Sequence, residues 1–386
     1  MSNPLLELRA LGQSIWYDNI ERGMIVSGQL QRLIAEDGLR GVTSNPAIFE
    51  KAISGSQGYA GTLRHLSTAE RSAVEIYEAI AIQDIQWAAD VLLPVYEETE
   101  ARDGYISLEV SPHLAHDTEA TVDEALRLAA DVGRRNVMIK VPGTNAGVAA
   151  IERLVGEGLN INVTLLFSVD SYVDVANAYV SGLETLQARG GNLADSASVA
   201  SFFVSRIDAM IDERITTMLD AGVDSVDHVE RASDQEVLRN LLGKVAIANA
   251  KLAYGRYQDI ISGQRWQALA AKGAQTQRLL WASTGAKNPA YRDVVYVEEL
   301  IGPDTVNTVP VATFESFRDH GQVRPSLEEG ADEAVAVMAA LKDCGISITE
   351  VTDQLQADAV RLFVEPFDKL LAAIDAQRAA AQPRRA

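Results

Sequence analysis

Lys140 lies in the run VMIKVPGT, with Met138, Ile139, Val141 and Pro142 around it. An amine set among apolar side chains is partly desolvated, which lowers its pKa and makes it a nucleophile toward a ketone at neutral pH. A single such lysine also fits a paired or solvent-reaching side chain, so the neighbours decide the reading. Asp18 ends SIWYD, Asn45 ends GVTSN, and Glu109 lies in GYISLEV. Asn162 and Thr164 stand two apart in LNINVTLLF, hence on one face of a strand. Two carboxylates beside an amine can move protons on both sides of an iminium. Taken alone, Asp18 or Glu109 fits a structural ion pair equally well, and the amides and threonine could serve loop backbone.

Two later segments could hold an anion. Ser201 and Arg206 bracket the run SFFVSR, while Ser283, Thr284 and Gly285 precede Lys287 in ASTGAKNP. Hydroxyls, free backbone N–H groups and two cations suit a phosphate, although a capping arginine and an ordinary turn share this spacing. GSQGYAG (55–61) and GTNAG (143–147) match neither the P-loop nor the dinucleotide fingerprint and are read as loops. His113 and His116 lack an HExxH context and are read as surface residues, so no metal is expected. Cys344 reads as a small core or helix-end residue, and Trp87, with Ile80, Asp84 and Val91 at helical spacing, as packing. Asn-Val-Thr at 162–164 matches a glycosylation acceptor, which a buried strand in a cytosolic protein makes irrelevant.

These residues need elements to bring them together. Eight β-like runs, at 14–18, 41–45, 104–110, 136–142, 159–167, 199–205, 278–284 and 305–310, alternate with helix-like stretches such as 71–98, 119–133 and 169–190. Such alternation gives parallel strands joined by right-handed crossovers. Eight units predict an α/β protein with a closed (β/α)8 TIM barrel rather than an open doubly wound sheet. The chemistry-bearing residues then fall at or near the carboxyl ends of strands, where barrels build their sites. Segments 207–277 and 328–378 exceed the minimal unit. They read as additional helices, an insertion and a C-terminal decoration, within one domain spanning 1–386. The tail AAAQPRRA (379–386) reads as a frayed end.

The 386 residues are 47% hydrophobic, enough for a large core, and carry 34 basic against 54 acidic side chains, a net charge of −20. That balance argues against nucleic acid or an anionic membrane as partner. No run approaches the ~20 apolar residues of a spanning helix, and the start lacks the apolar stretch of a signal peptide. A single cysteine excludes an internal disulfide framework, and the cytoplasm is the expected compartment.

With GVTSNPAIF, VMIKVPGT and LNINVTLLFS in this order, the chain resembles the transaldolases, Schiff-base enzymes of the pentose phosphate pathway built on an (α/β)8 barrel. The resemblance runs from about Asp18 to Pro310, and the length and helical insertion are similar to the longer bacterial form. It implies that Lys140 forms the imine and that Asp18 is the acid/base for the substrate C4 hydroxyl. Glu109 would work through a water held with Thr164. Asn45 and Asn162 would bind substrate hydroxyls with Thr43 in support, and Ser201 and Arg206 would face the phosphate. Many family members carry Ser-Phe-Arg after the seventh strand, whereas here Ser283 is followed by Thr284, Gly285, Ala286 and Lys287. Lys287 is therefore the candidate to replace a second phosphate-binding arginine.

The implied reaction moves dihydroxyacetone from sedoheptulose 7-phosphate to glyceraldehyde 3-phosphate, giving erythrose 4-phosphate and fructose 6-phosphate. No cofactor is required, the partners are small sugar phosphates, and a monomer or homodimer is expected. Two alternatives stand beside it. One is an enzyme similar to fructose-6-phosphate aldolase, whose members are shorter and carry Tyr where Glu109 stands. The other is a non-catalytic barrel that binds sugar phosphates.

Overall fold

The computed structural model describes residues 3–55, 57–67, 71–221 and 229–381. Eight strands among them follow one another around a closed parallel barrel: β1 (Gln13–Tyr17), β2 (Gly41–Val42), β3 (Tyr105–Glu109), β4 (Val137–Pro142), β5 (Ile161–Leu166), β6 (Ser198–Phe203), β7 (Arg278–Ala282) and β8 (Thr305–Val309). Pairing of β1 with β8, from Gln13 opposite Thr305 to Tyr17 opposite Val309, closes the ring. The expected (β/α)8 architecture is therefore the observed one.

Every strand residue is buried, because the outer face packs on helices and the inner face fills the barrel. Several polar residues inside the barrel pair with one another. At the amino-terminal end Arg278 donates to Ser14 Oγ (2.8 Å) and Asp103 Oδ1 (2.9 Å), and Trp16 Nε1 donates to the same carboxylate oxygen at 3.1 Å. A buried charge pair of this kind is tolerated because the remaining donors and acceptors are also occupied.

The helices begin where the sequence supplies caps. Ser72 and Glu75 form a capping box at the start of the helix Ala73–Glu98, Asp117 caps Thr118–Val132, and Ser168 caps Val169–Ala188. Between β6 and β7 lie the helices Ser205–Ala221, Val229–Leu241, Val245–Ser262 and Gln264–Ala270, so helical structure starts at Ser205. After β8 come Val311–His320, Ala331–Asp343 and Ile348–Ala381. The last of these packs on Pro46–Gly55 and Ala73–Glu98 and touches β5. Its Gln356 Nε2 donates to the carbonyls of Gly143 (3.1 Å) and Leu165 (3.2 Å), which ties the helix across the carboxyl-terminal mouth.

Several local expectations change. The run 41–45 is a strand only over Gly41–Val42, because Pro46 opens a helix and Thr43 to Asn45 bridge the two. GTNAG is not a loop throughout: Thr144 Oγ1 accepts from Gly147 N at 3.1 Å and caps the helix Asn145–Gly156. A Cβ at Gly147 would lie 1.8 Å from the Pro142 carbonyl oxygen, so this glycine answers a close approach rather than a flexible turn. GSQGYAG enters the 3-10 turn Gln57–Tyr59 and the helix Ala60–Ser67. Asp84 is fully buried against Arg22 (2.7 Å) and Tyr59 Oη (2.8 Å), and the Arg22 guanidinium lies 5.1 Å from the Trp87 ring centre, so Trp87 packs on a cation. Cys344 is the C-terminal cap residue of Ala331–Asp343. The final helix runs through Ala381, which makes the start of the tail helical, and 382–386 fall outside the described residues. Among the described residues no helix is long and apolar enough to cross a membrane.

Candidate active site

A cavity of about 140 Å³ opens at the carboxyl ends of the strands. Its centre is Lys140, which β4 places in register between Glu109 of β3 and Asn162 of β5. Lys140 is 5% exposed. Its Nζ donates to the Ser44 carbonyl at 3.0 Å, stands 3.2 Å from Glu109 Oε2, and lies 5.6 Å from the centre of the Phe363 ring. Burial pushes the Glu109 carboxyl up to about 7, although the Lys140 charge works the other way. Apart from that charge, neither Glu109 oxygen nor the buried Thr164 hydroxyl has a hydrogen-bond partner among the described residues. Each such orphan costs roughly 1–3 kcal/mol unless a small polar molecule satisfies it. A site left in this condition is built to receive one.

Asp18 follows β1 directly and joins the lining together with Thr43. Thr43 donates to Asp18 Oδ1 at 2.8 Å, and Thr308 stands 2.7 Å behind Thr43. Burial raises the Asp18 carboxyl; Lys140, the Thr43 hydrogen bond and Lys287 oppose the rise. Asn45 also lines the cavity, its Oδ1 accepting from Ile48 N at 3.0 Å. That bond spends the oxygen on the following helix and leaves the Asn45 amide N–H groups for a ligand.

Arg206 and Lys287 line one end of the same cavity, with Ser201 and Ser283. Burial lowers the pKa of both cations, and for Lys287 the Arg206 charge adds to the effect. A half-buried guanidinium whose charge lowers the pKa of a neighbouring, exposed lysine makes an end of the cavity suited to an anion. Ser283 takes a left-handed backbone (φ 55), held by Ser205, whose hydroxyl donates to the Ser283 carbonyl at 2.5 Å. Beyond this turn Lys287 reaches the cavity lining.

Three placements differ from expectation, the first being that Glu109, although beside Lys140, does not line this cavity. Asn162 is fully buried and does not line the cavity: its Nδ2 donates to Ser107 Oγ (2.9 Å) and its Oδ1 accepts from Ser201 (2.7 Å). Thr284 is likewise buried and donates to Asn307 Oδ1 at 3.1 Å, so its hydroxyl does not face an anion. Both side chains point into the barrel, where neighbouring strands compete for their polar atoms. His113 lies 2.7 Å from Asp368, and among the described residues no cluster of His, Cys, Asp and Glu could hold a metal ion.

Sequence reasoning passed over Ser44, Thr308 and Phe363. Thr308 sits near the end of β8 and was open to the strand-end rule; the Ser44 carbonyl carries no side-chain signal. Phe363 is an apolar residue within an amphipathic helix, and only the path of the chain brings it over Lys140.

Residues 15–374 match the Transaldolase/Fructose-6-phosphate aldolase family. A Transaldolase of Trichodesmium erythraeum is 49% identical over 380 residues, covering 97% of each chain. Transaldolase 2 of a Nostoc species is 49% identical over 375 residues, again 97% of each chain. Transaldolase 1 of Streptomyces avermitilis is 46% identical over 378 residues, 97% of this chain and 96% of the relative. The match extends past Pro310 into the last helix, so it takes in Phe363. Barrel, buried lysine and full-length similarity agree, and the chain belongs to the transaldolase/fructose-6-phosphate aldolase family.

Proposed function

We propose that this protein is a transaldolase, a transferase that moves a dihydroxyacetone unit from sedoheptulose 7-phosphate to glyceraldehyde 3-phosphate. One observation carries the reading: a buried lysine stands 3.2 Å from a buried carboxylate, beside a cavity that also presents Asp18 and two cations. Lys140 passes a proton to Glu109 and attacks the C2 ketone. The carbinolamine then loses its hydroxyl as water, taking the proton back from Glu109, and an iminium forms. Electrons flow into it as Asp18 removes the C4 hydroxyl proton and the C3–C4 bond breaks. Erythrose 4-phosphate leaves, and the three-carbon enamine waits for the incoming aldehyde.

Arg206 and Lys287 hold the phosphate, with Ser283 beside them, and Asn45 holds substrate hydroxyls. Asn162 acts at one remove by fixing the Ser201 hydroxyl. Thr164 and Glu109 share the water that forms and hydrolyses the imine. All these groups come from one chain, so a monomer or a homodimer can carry the site. The acidic, single-cysteine composition supports a cytoplasmic enzyme without nucleic-acid partners.

Borohydride reduction in the presence of fructose 6-phosphate, followed by peptide mapping, tests the reading. The expected result is a three-carbon adduct on Lys140; an unmodified Lys140 overturns it. Release of free dihydroxyacetone as fast as transfer would replace a transaldolase with an aldolase.

A further inference from the structure

Glu109 does not line the substrate cavity; it lines a second one. This second cavity, of about 100 Å³, lies between β3 and the helices Ala73–Glu98 and Thr118–Val132, and Phe367 of the last helix also borders it. Its size admits a few waters. Beyond Glu109 its polar lining consists of Tyr77, Glu78, Ser111 and Glu124. Lys140 therefore meets one face of Glu109, and this polar chamber meets another.

The polar groups form a graded series. The Tyr77 ring is wedged edge-on between Phe49 (5.8 Å) and Phe367 (5.4 Å). Burial and the nearby carboxylates of Glu109, Glu78 and Glu124 raise its pKa, so the phenol keeps its proton and can relay one by accepting and donating together. Glu124 accepts from Ser111 N at 2.5 Å, and burial raises the pKa of its carboxyl although that hydrogen bond opposes the rise. Glu78 sits at the outer rim in a two-pronged pair with Arg127 (2.6 and 2.9 Å).

We propose that this second cavity is a water and proton passage to Glu109, separate from the substrate mouth, with Tyr77 and Glu124 as its relay groups. The inference rests on the imine reading given above. In that chemistry, dehydration of the carbinolamine breaks the C2–O bond, consumes a proton from Glu109 and yields a water that must leave. Hydrolysis needs a water to add its hydroxyl to C2 and its proton to Glu109, after which the C2–N bond breaks and Lys140 is restored. Both events occur while sugar phosphate and Phe363 fill the mouth. A side passage lets Glu109 exchange water and protons with solvent while the carbon–carbon chemistry stays dry.

Exchange of the C2 oxygen of fructose 6-phosphate with oxygen-18 water reports imine formation and hydrolysis without carbon–carbon cleavage. Three variants of the full chain test the passage. Tyr77→Phe keeps the ring, Glu124→Gln keeps an acceptor for Ser111 N, and Ala81→Leu, in the cavity wall, fills the space. Each should slow exchange about tenfold and shift its pH profile, more than it slows cleavage of preformed imine, with the melting temperature showing that the fold survives. Glu124→Asp should restore most of the rate. Exchange and pH profile within about twofold of the parent in all three variants would overturn the passage alone. Absence of exchange in the unmodified protein would remove the imine reading, and the passage with it.

Discussion

At the scale of single residues, the Lys140–Glu109 pair sets the pH response. With the Glu109 carboxyl pushed up to about 7, its ionised form is the base the reaction needs. Protonation of Glu109 removes that base. kcat/KM should therefore fall about tenfold per unit below about pH 7, and Glu109→Gln should abolish that limb along with most of the rate. The cations make a separate prediction. Arg206→Ala or Lys287→Ala removes one charge-assisted contact, about 1.5–3 kcal/mol, and should raise KM for phosphorylated sugars tenfold to hundredfold while sparing unphosphorylated ones. Equal effects on both substrates would refute a phosphate role. Lys140 was legible at this scale because a lysine inside a barrel strand is costly and therefore rare. The position of Asn162 was not, since strand alternation names the face of a side chain but not which neighbour takes its polar atoms.

Among the elements, Ile348–Ala381 is the one whose part differs most from its sequence signal. The pattern reads as helical decoration, yet Gln356 anchors the helix to the tops of β4 and β5, and Phe363 lies over the Lys140 amine. Phe363→Ala should open the mouth and raise the ratio of free dihydroxyacetone to transferred product. The truncation costs about 3–5 kcal/mol, so Phe363→Leu serves as the better-folded partner. An unchanged ratio in both would deny the helix its water-excluding role. The strands were readable because their period is a local signal, as are Ser-x-x-Glu at Ser72 and the glycine after Val132, which the sequence reading did not use. GTNAG was misread because a glycine demanded by close packing looks the same in sequence as one demanded by a turn.

For the whole molecule, the inserted helices are held to the barrel by buried acid chemistry. Asp208 accepts from Ala246 N (2.7 Å) and Tyr296 Oη (2.8 Å), with Asp212 and Tyr291 close by. Burial pushes its carboxyl up to about 7. A raised carboxyl is neutral in the folded state while the unfolded chain ionises near 4, so its stabilisation is full at low pH and is lost as pH climbs through 7. The loss is on the order of 2–4 kcal/mol. Melting temperatures of Asp208→Asn should therefore fall less between pH 5 and pH 8 than those of the parent; parallel curves would show that Asp208 is charged throughout. By itself the sequence determined the alternation of strands and helices, the barrel that follows from it, and the buried lysine at its centre, because these depend on local period and on the cost of burying an amine. Only the tertiary structure decided that Glu109 faces a second cavity, that Arg206 and Lys287 line one cavity, and that a distant helix roofs the amine. Those relations join residues far apart in the chain, and their energies come from burial and pairing that exist only once the barrel has closed.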